Sequence, residues 1–237
     1  LDQFFQSYHY GAWIFFRYLT ERFPSSAGGM PTLVRDLWRR LDDAPGGSGN
    51  YSLEGLKQVL RQHDLSLPEA FGRFSAANRT PGRSYDEGKA NRYPTAPQVR
   101  ATTLSQKAPE STRLRLWLDH LAAGTVRYTP AKSLVSPAWR LRLVIDMAAR
   151  WKGTGAVVTI QPRSGPPRSL WVTLDTGGDA NPQYNFAAQR VKYVDVTLVN
   201  ANDDFRCDRG TRFSCEGRPK FDNSSQRITA KVFKARS

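Results

Sequence analysis

Two cysteines, two methionines and three histidines are all that 237 residues hold of the side chains most used in metal and redox chemistry. No apolar run approaches the about 20 residues that span a bilayer. The richest, Tyr8 to Leu19, is broken by Arg17. There is no His-x-x-x-His and no HExxH, so the two-ligands-on-one-face geometry of a zinc peptidase helix is missing. A GxSxG elbow, a Walker loop and a GxGxxG turn are absent too. By its own residues the chain is not a complete enzyme: no catalytic residue, no metal ligand set and no cofactor site can be assigned.

Acidic residues are also scarce, 21 against 35 basic ones, for a formal net charge of +14. The excess is uneven. Residues 1–80 carry nine basic and eight acidic side chains, whereas residues 111–237 carry twenty-one and ten. Such asymmetry points to a polyanionic partner, or to solubility alone.

What is present is enough apolar material for a core: 39% hydrophobic residues, with 27 Phe, Tyr and Trp. Phe4, Phe5, Tyr8, Ala12, Phe15, Phe16 and Leu19 recur at helical steps, and Trp13 and Ile14 widen the stripe. Pro24 and the following serines end that helix. Leu33, Leu37 and Leu41 mark a second helix, and Ser52 caps a third built on Leu53, Leu56, Val59 and Leu60. Ser66 and Glu69 form a capping box, with Pro68 in the first turn, ahead of Ala70, Phe71 and Phe74. Residues 80–111 are polar and punctuated by Pro81, Pro94, Pro97 and Pro109, an extended connection or an ordered arm.

From Thr112 the period becomes two. Leu114, Leu116 and Leu118 alternate with Arg113, Arg115 and Trp117, and Leu141, Leu143 and Ile145 with Arg140 and Arg142. The pattern returns at 156–160, 170–174, 194–198 and 228–232, and segments 124–129 and 184–189 can add two strands. The expected fold is α+β: an all-helical subdomain (1–80), an extended linker or arm (81–111) and an antiparallel β-sandwich (112–237).

Trp117 and Trp171 alternate away from the leucines and, with Arg113 and Arg115, form a candidate binding surface for a glycan or an anionic polymer. Cys207 and Cys215 enclose seven residues and can close a local disulfide, which favours an extracellular location. His63 reads as a helix-end residue and His120 as a turn residue. Asp203, Asp204 and Asp208 form an acidic loop without the order of a calcium site. Tyr8, His9 and Tyr10 open the most apolar helix, where they could wall a cleft.

The run from Tyr8 to Glu21, YHYGAWIFFRYLTE, resembles the helix that follows the zinc-binding region in a family of secreted bacterial zincin-like metalloproteases. The similarity continues through Glu69–Phe74, Asn78–Arg79, Leu118–Leu121, Thr197–Ala201 and the Cys207 to Cys215 region. It implies a C-terminal portion of such a protein, its helical subdomain plus an appended β-domain. The family's HExxH does not occur here, so no metal or catalytic role passes to any residue of this chain. Zinc would belong to a segment that this sequence, starting at Leu1, does not contain.

Two functions follow as expectations. One is a non-catalytic part of a secreted zinc metallopeptidase, with Tyr8, His9 and Tyr10 nearest the cleft. Its first helix would then cover itself with the missing N-terminal half or with a second copy of the chain. The other is a secreted β-sandwich module that binds glycans or the cell envelope. A specific nucleic-acid partner ranks last, because no recognition motif accompanies the charge.

Overall fold

Alternation of large apolar and charged residues builds two stacked sheets, and an amphipathic helical layer lies over one of them. The computed structural model describes the backbone of residues 8–50, 52–210 and 215–235 and the side chains of 13–50, 52–206 and 217–235. The chain begins with α1 (Tyr8–Arg22), a small hairpin of β1 (Ser26–Ala27) and β2 (Met30–Pro31), then α2 (Thr32–Arg40), α3 (Ser52–Arg61), α4 (Leu67–Ala77) and the single turn α5 (Pro81–Ser84). The strands are β3 (Arg100–Leu104), β4 (Leu114–Leu118), β5 (Ala122–Pro130), β6 (Trp139–Asp146), β7 (Thr154–Pro162), β8 (Arg168–Val172), β9 (Asp179–Ala180), β10 (Gln183–Asn185), β11 (Val191–Asn200), β12 (Phe205–Gly210), β13 (Cys215–Pro219) and β14 (Ser224–Lys234). Among the described residues no helix is long and apolar enough to cross a membrane.

One sheet has the order β10-β6-β14-β4, with β9 also beside β6; the other runs β3-β5-β11-β7-β8. Their pairs are antiparallel apart from β3 with β5, which is parallel. Leu114, Leu116, Leu118, Leu141, Leu143 and Ile145 of the first sheet meet Val126, Tyr128, Ala156, Val158, Val194, Val196 and Leu198 of the second in one buried core. This is the α+β, sandwich-like architecture that the change of period at Thr112 predicts. The 81–111 stretch carries α5 and then β3, which completes an edge of the second sheet, and Ser111 N–H donates to Ala230 O.

The helices have a core of their own in Leu19, Leu33, Leu37, Leu56, Val59, Leu60, Leu67 and Ala70. Ser66 caps α4 as its sequence predicts, its Oγ accepting from Glu69 N–H at 3.3 Å, while the Glu69 carboxylate turns to Arg73. α4 then lies across β5, β7, β8 and β11, covering the outer face of the second sheet. Two glycines permit that approach. A Cβ on Gly155 would overlap the Trp171 indole, and one on Gly72 would stand 3.0 Å from Trp171 and 3.2 Å from Val157.

A buried ion cluster fastens the layers. Asp195 on β11 is 2% exposed; Arg127 on β5 grips it through two bonds of 2.7 Å, and Arg79, just past α4, approaches at 3.5 Å. Arg79 also donates to Ala96 O and to Gln98 Oε1 at 3.2 Å, which ties the 81–99 segment across the end of α4.

Candidate binding face

With α4 over one sheet, the outer face of the other is the broad uncovered surface of the sandwich. Inward positions of β4 and β6 are apolar, as are Ile228, Ala230 and Val232 of β14 beside the buried Gln226, so the alternate positions of these strands fall on this face. From β4 come Arg115 and Trp117, with Arg113 one residue ahead; from β14, Ser225, Arg227, Thr229, Lys231 and Phe233; from β6, Arg140, Arg142, Val144 and Asp146; from β10, Gln183 and Asn185. Six cations share the face. Its carboxylates stand beside two of them: Asp146, opposite Arg227 on the neighbouring strand, takes it at 3.2 Å, Glu110, bridged to Lys231, takes it at 3.5 Å, and Asp179 stands opposite Asp146.

The register aligns like charges. Arg115 is directly opposite Arg227, and Lys231 directly opposite Arg142. Opposed like charges destabilise a strand pair; Asp146 and Glu110 offset this at Arg227 and Lys231, while Arg115 and Arg142 make no ion pair among the described residues. Aromatic rings lie among the cations. The Arg115 guanidinium is 5.6 Å from the Trp117 ring and the Arg142 guanidinium 4.9 Å from Phe233, contacts that keep the cations over the sheet. Trp117 is 57% exposed, and the Arg227 Nε is buried without a hydrogen-bond partner among the described residues.

The surface read from the sequence is thus brought together in part. Arg113, Arg115 and Trp117 share one face. Trp171 also points away from the core, but from the other sheet, where it is packed between Gly155 and Gly72 beneath α4. It cannot join Trp117. Its place is taken by Arg140, Arg142, Arg227, Lys231 and Phe233, whose alternation is visible in the sequence but whose strand pairing is not.

Tyr8, His9 and Tyr10 occupy the first turn of α1, and their side chains lie outside the described residues, as do Phe4 and Phe5 entirely. Trp13 is exposed with an edge contact to Tyr93 at 6.4 Å, while Phe15 packs on Phe74 at 5.1 Å. Cys207 and Cys215 lie on the β12–β13 hairpin, where Cys207 is opposite Gly217 and Cys215 opposite Gly210; their side chains lie outside the described residues. His63 follows α3 and stacks on Phe23 at 4.2 Å. His120 sits in the β4–β5 turn against Phe205 at 4.6 Å, its Nδ1 buried and unpaired among the described residues. Burial pushes its pKa down, against the opposing pull of Asp222 and Asp203. Among the described residues no group of three His, Cys, Asp or Glu side chains converges as metal ligands.

No protein-family model and no curated protein matches the chain. Among solved structures it is similar to TmCBM61 in complex with beta-1,4-galactotriose, at 11% identity over 52% of this chain and 70% of that one, TM-score 0.29. It is similar to the pre-peptidase C-terminal domain of collagenase from Bacillus anthracis at 9% identity over 58% and 98%, TM-score 0.29. It is also similar to PliG of Aeromonas hydrophila, a periplasmic inhibitor of g-type lysozyme, at 16% identity over 56% and 98%, TM-score 0.27. Likeness of this degree carries no conclusion about what the present chain binds.

Proposed function

We propose that this chain is a non-catalytic accessory β-sandwich protein whose open sheet face holds an acidic polysaccharide of an extracellular matrix or cell envelope. The observation that carries the reading is two directly opposed pairs of like charge, Arg115 with Arg227 and Arg142 with Lys231, on a face that no helix among the described residues covers. An acidic glycan supplies carboxylates or sulfates to those cations and a sugar ring to Trp117. A nucleic acid fits less well, because gripping a single strand uses successive exposed aromatics for successive bases. Here one indole is open, and Phe233 is half-buried beneath Arg142.

The test is retention on immobilised polygalacturonate, dextran and single-stranded DNA at equal ionic strength. The reading expects retention on polygalacturonate that exceeds retention on DNA, and none on dextran. Equal or stronger retention on DNA, or none on polygalacturonate, overturns it.

The resemblance to secreted zinc peptidases extends this proposal to the protein that would contain the chain: a peptidase whose HExxH and zinc lie outside it. A structural observation supports treating the resembling segments as one unit. α4, which contains Glu69–Phe74, packs on β11, which contains Thr197–Asn200, and Asn200 donates to Leu118 O at 3.0 Å. The sequence encoded ahead of Leu1 tests this extension, which requires an HExxH there.

A further inference from the structure

A recess built from other residues lies apart from the open face. Between the α3–α4 junction and the Arg150–Lys152 turn is a cleft of about 430 Å³, within the size range of small-molecule sites. Arg61, Lys57 and the first turn of α4 form one wall; Arg150 and Trp151 form the other. The second wall is fixed. Gly153 N–H donates to Arg150 O at 3.1 Å, Ala201 N–H to Gly153 O at 2.9 Å, and Asn202 Nδ2 to Lys152 O at 3.2 Å.

Trp151 is 69% exposed, yet it is held. Phe221 meets it edge-on at 5.3 Å, and the Lys152 ammonium lies 5.3 Å from its ring centroid. The cations divide into two kinds. Lys57 is taken by Asp203 at 2.8 Å and Glu54 at 3.3 Å. Arg61 and Arg150 make no ion pair among the described residues; the Arg150 guanidinium donates to Leu174 O at 3.4 Å. Asp64 is the remaining carboxylate of the lining. A fixed open indole beside two unneutralised guanidiniums matches a ligand with an apolar ring face and an anionic group.

We propose that this cleft binds a sugar ring bearing a carboxylate, a hexuronate at the end of a chain or free, independently of the open sheet face. The ring lies on Trp151 and the carboxylate between Arg61 and Arg150. A neutral hexose leaves both guanidiniums unused, and a bare anion leaves the indole unused.

The test titrates galacturonate, galactose and inorganic phosphate into the full chain while following the Trp151 indole N–H by NMR. Galacturonate should shift that resonance saturably, with galactose and phosphate each at least tenfold weaker. Arg61→Gln with Arg150→Gln should weaken galacturonate at least tenfold. Trp151→Ala, followed by calorimetry, should lose the monosaccharide while keeping retention on polygalacturonate. Arg115→Glu should do the reverse, so failure of the cleft and failure of the open face give different results. Absence of a shift, equal affinity for galactose or phosphate, or undiminished calorimetric binding in Trp151→Ala overturns the proposal. If Trp151→Ala does not fold, Trp151→Leu takes its place under the same criteria.

Discussion

Arg115 on β4 stands directly opposite Arg227 on β14, both on the outward face; on the other side of β14, Asp146 of β6 stands opposite Arg227 and pairs with it at 3.2 Å, which leaves Arg115 without an ion pair among the described residues. A sheet selected for stability alone would place opposite charges there. The arrangement makes sense as a surface kept for a polyanion, and it separates stability from binding in a measurable way.

Arg115→Glu turns the opposed pair into a cross-strand ion pair. The variant should be as stable as the parent or more so, by about 0.2–1 kcal/mol, while retention on acidic polysaccharide falls. Arg142→Glu should act likewise through Lys231. Urea denaturation alongside the retention assay checks both halves; a variant that loses stability and keeps binding contradicts the account.

Asp195 joins two guanidiniums in the seam between α4 and the second sheet. Asp195→Ala leaves Arg127 and Arg79 with uncompensated charge, and breaking a buried pair in this way costs about 3–5 kcal/mol. Chemical denaturation should show that loss in a single transition shared by the helical and β parts. A loss below about 1 kcal/mol, the range of exposed pairs, would mean that the cluster is solvated.

The two tryptophans that alternation places away from the leucines should behave differently. Trp117 should be readily quenched by acrylamide, and Trp171, under α4, should resist, as Trp117→Phe and Trp171→Phe spectra will resolve. Gly155→Ala should push against the Trp171 indole and destabilise by about 1–3 kcal/mol, the usual cost of overpacking. Equal quenching of both indoles would remove the covering helix from the account.

The contrast between these tryptophans shows what a single sequence reveals. Alternation at Leu114–Leu118 and Leu141–Ile145 exposes which side of each strand faces inward, and the Ser66–Glu69 spacing exposes the start of α4. Both are local patterns. Which sheet a strand joins, and whether a helix covers its outer side, depends on contacts between residues distant in sequence. Arg115 and Arg227 are separated by more than a hundred residues, and nothing near either announces the other. Gly72 and Gly155 read as ordinary helix and strand residues until Trp171 is placed between them. The parallel β3 sits in a polar, proline-punctuated stretch that reads as a connection.

Stability should form a dome in pH. Burial holds the His120 pKa below its ordinary 6.5, with Asp222 and Asp203 opposing. The unfolded chain therefore takes up that proton first, and the contribution of neutral His120, complete above 6.5, is lost as the pH falls below it. Burial raises Tyr18, Tyr85 and Tyr184, and it pushes Tyr128 up to about 12. Their contribution is complete below 10 and disappears as the pH climbs from there through the folded-state values. Thermal melts from pH 5 to 12 should fall at both ends, and His120→Gln should flatten the acid side. A melting temperature unchanged up to pH 12 contradicts the burial of these tyrosines.

The open face is tested most directly by the salt dependence of affinity for polygalacturonate, compared between the parent chain and the double variant Arg115→Glu with Lys231→Glu. Cations that meet a polyanion lose attraction as salt screens them. The parent affinity should fall steadily with rising salt. The double variant should bind at least tenfold more weakly at low salt and show a shallower salt dependence, with its melt intact. Equal affinities and equal salt dependence in the two proteins would place the polyanion elsewhere and contradict the account.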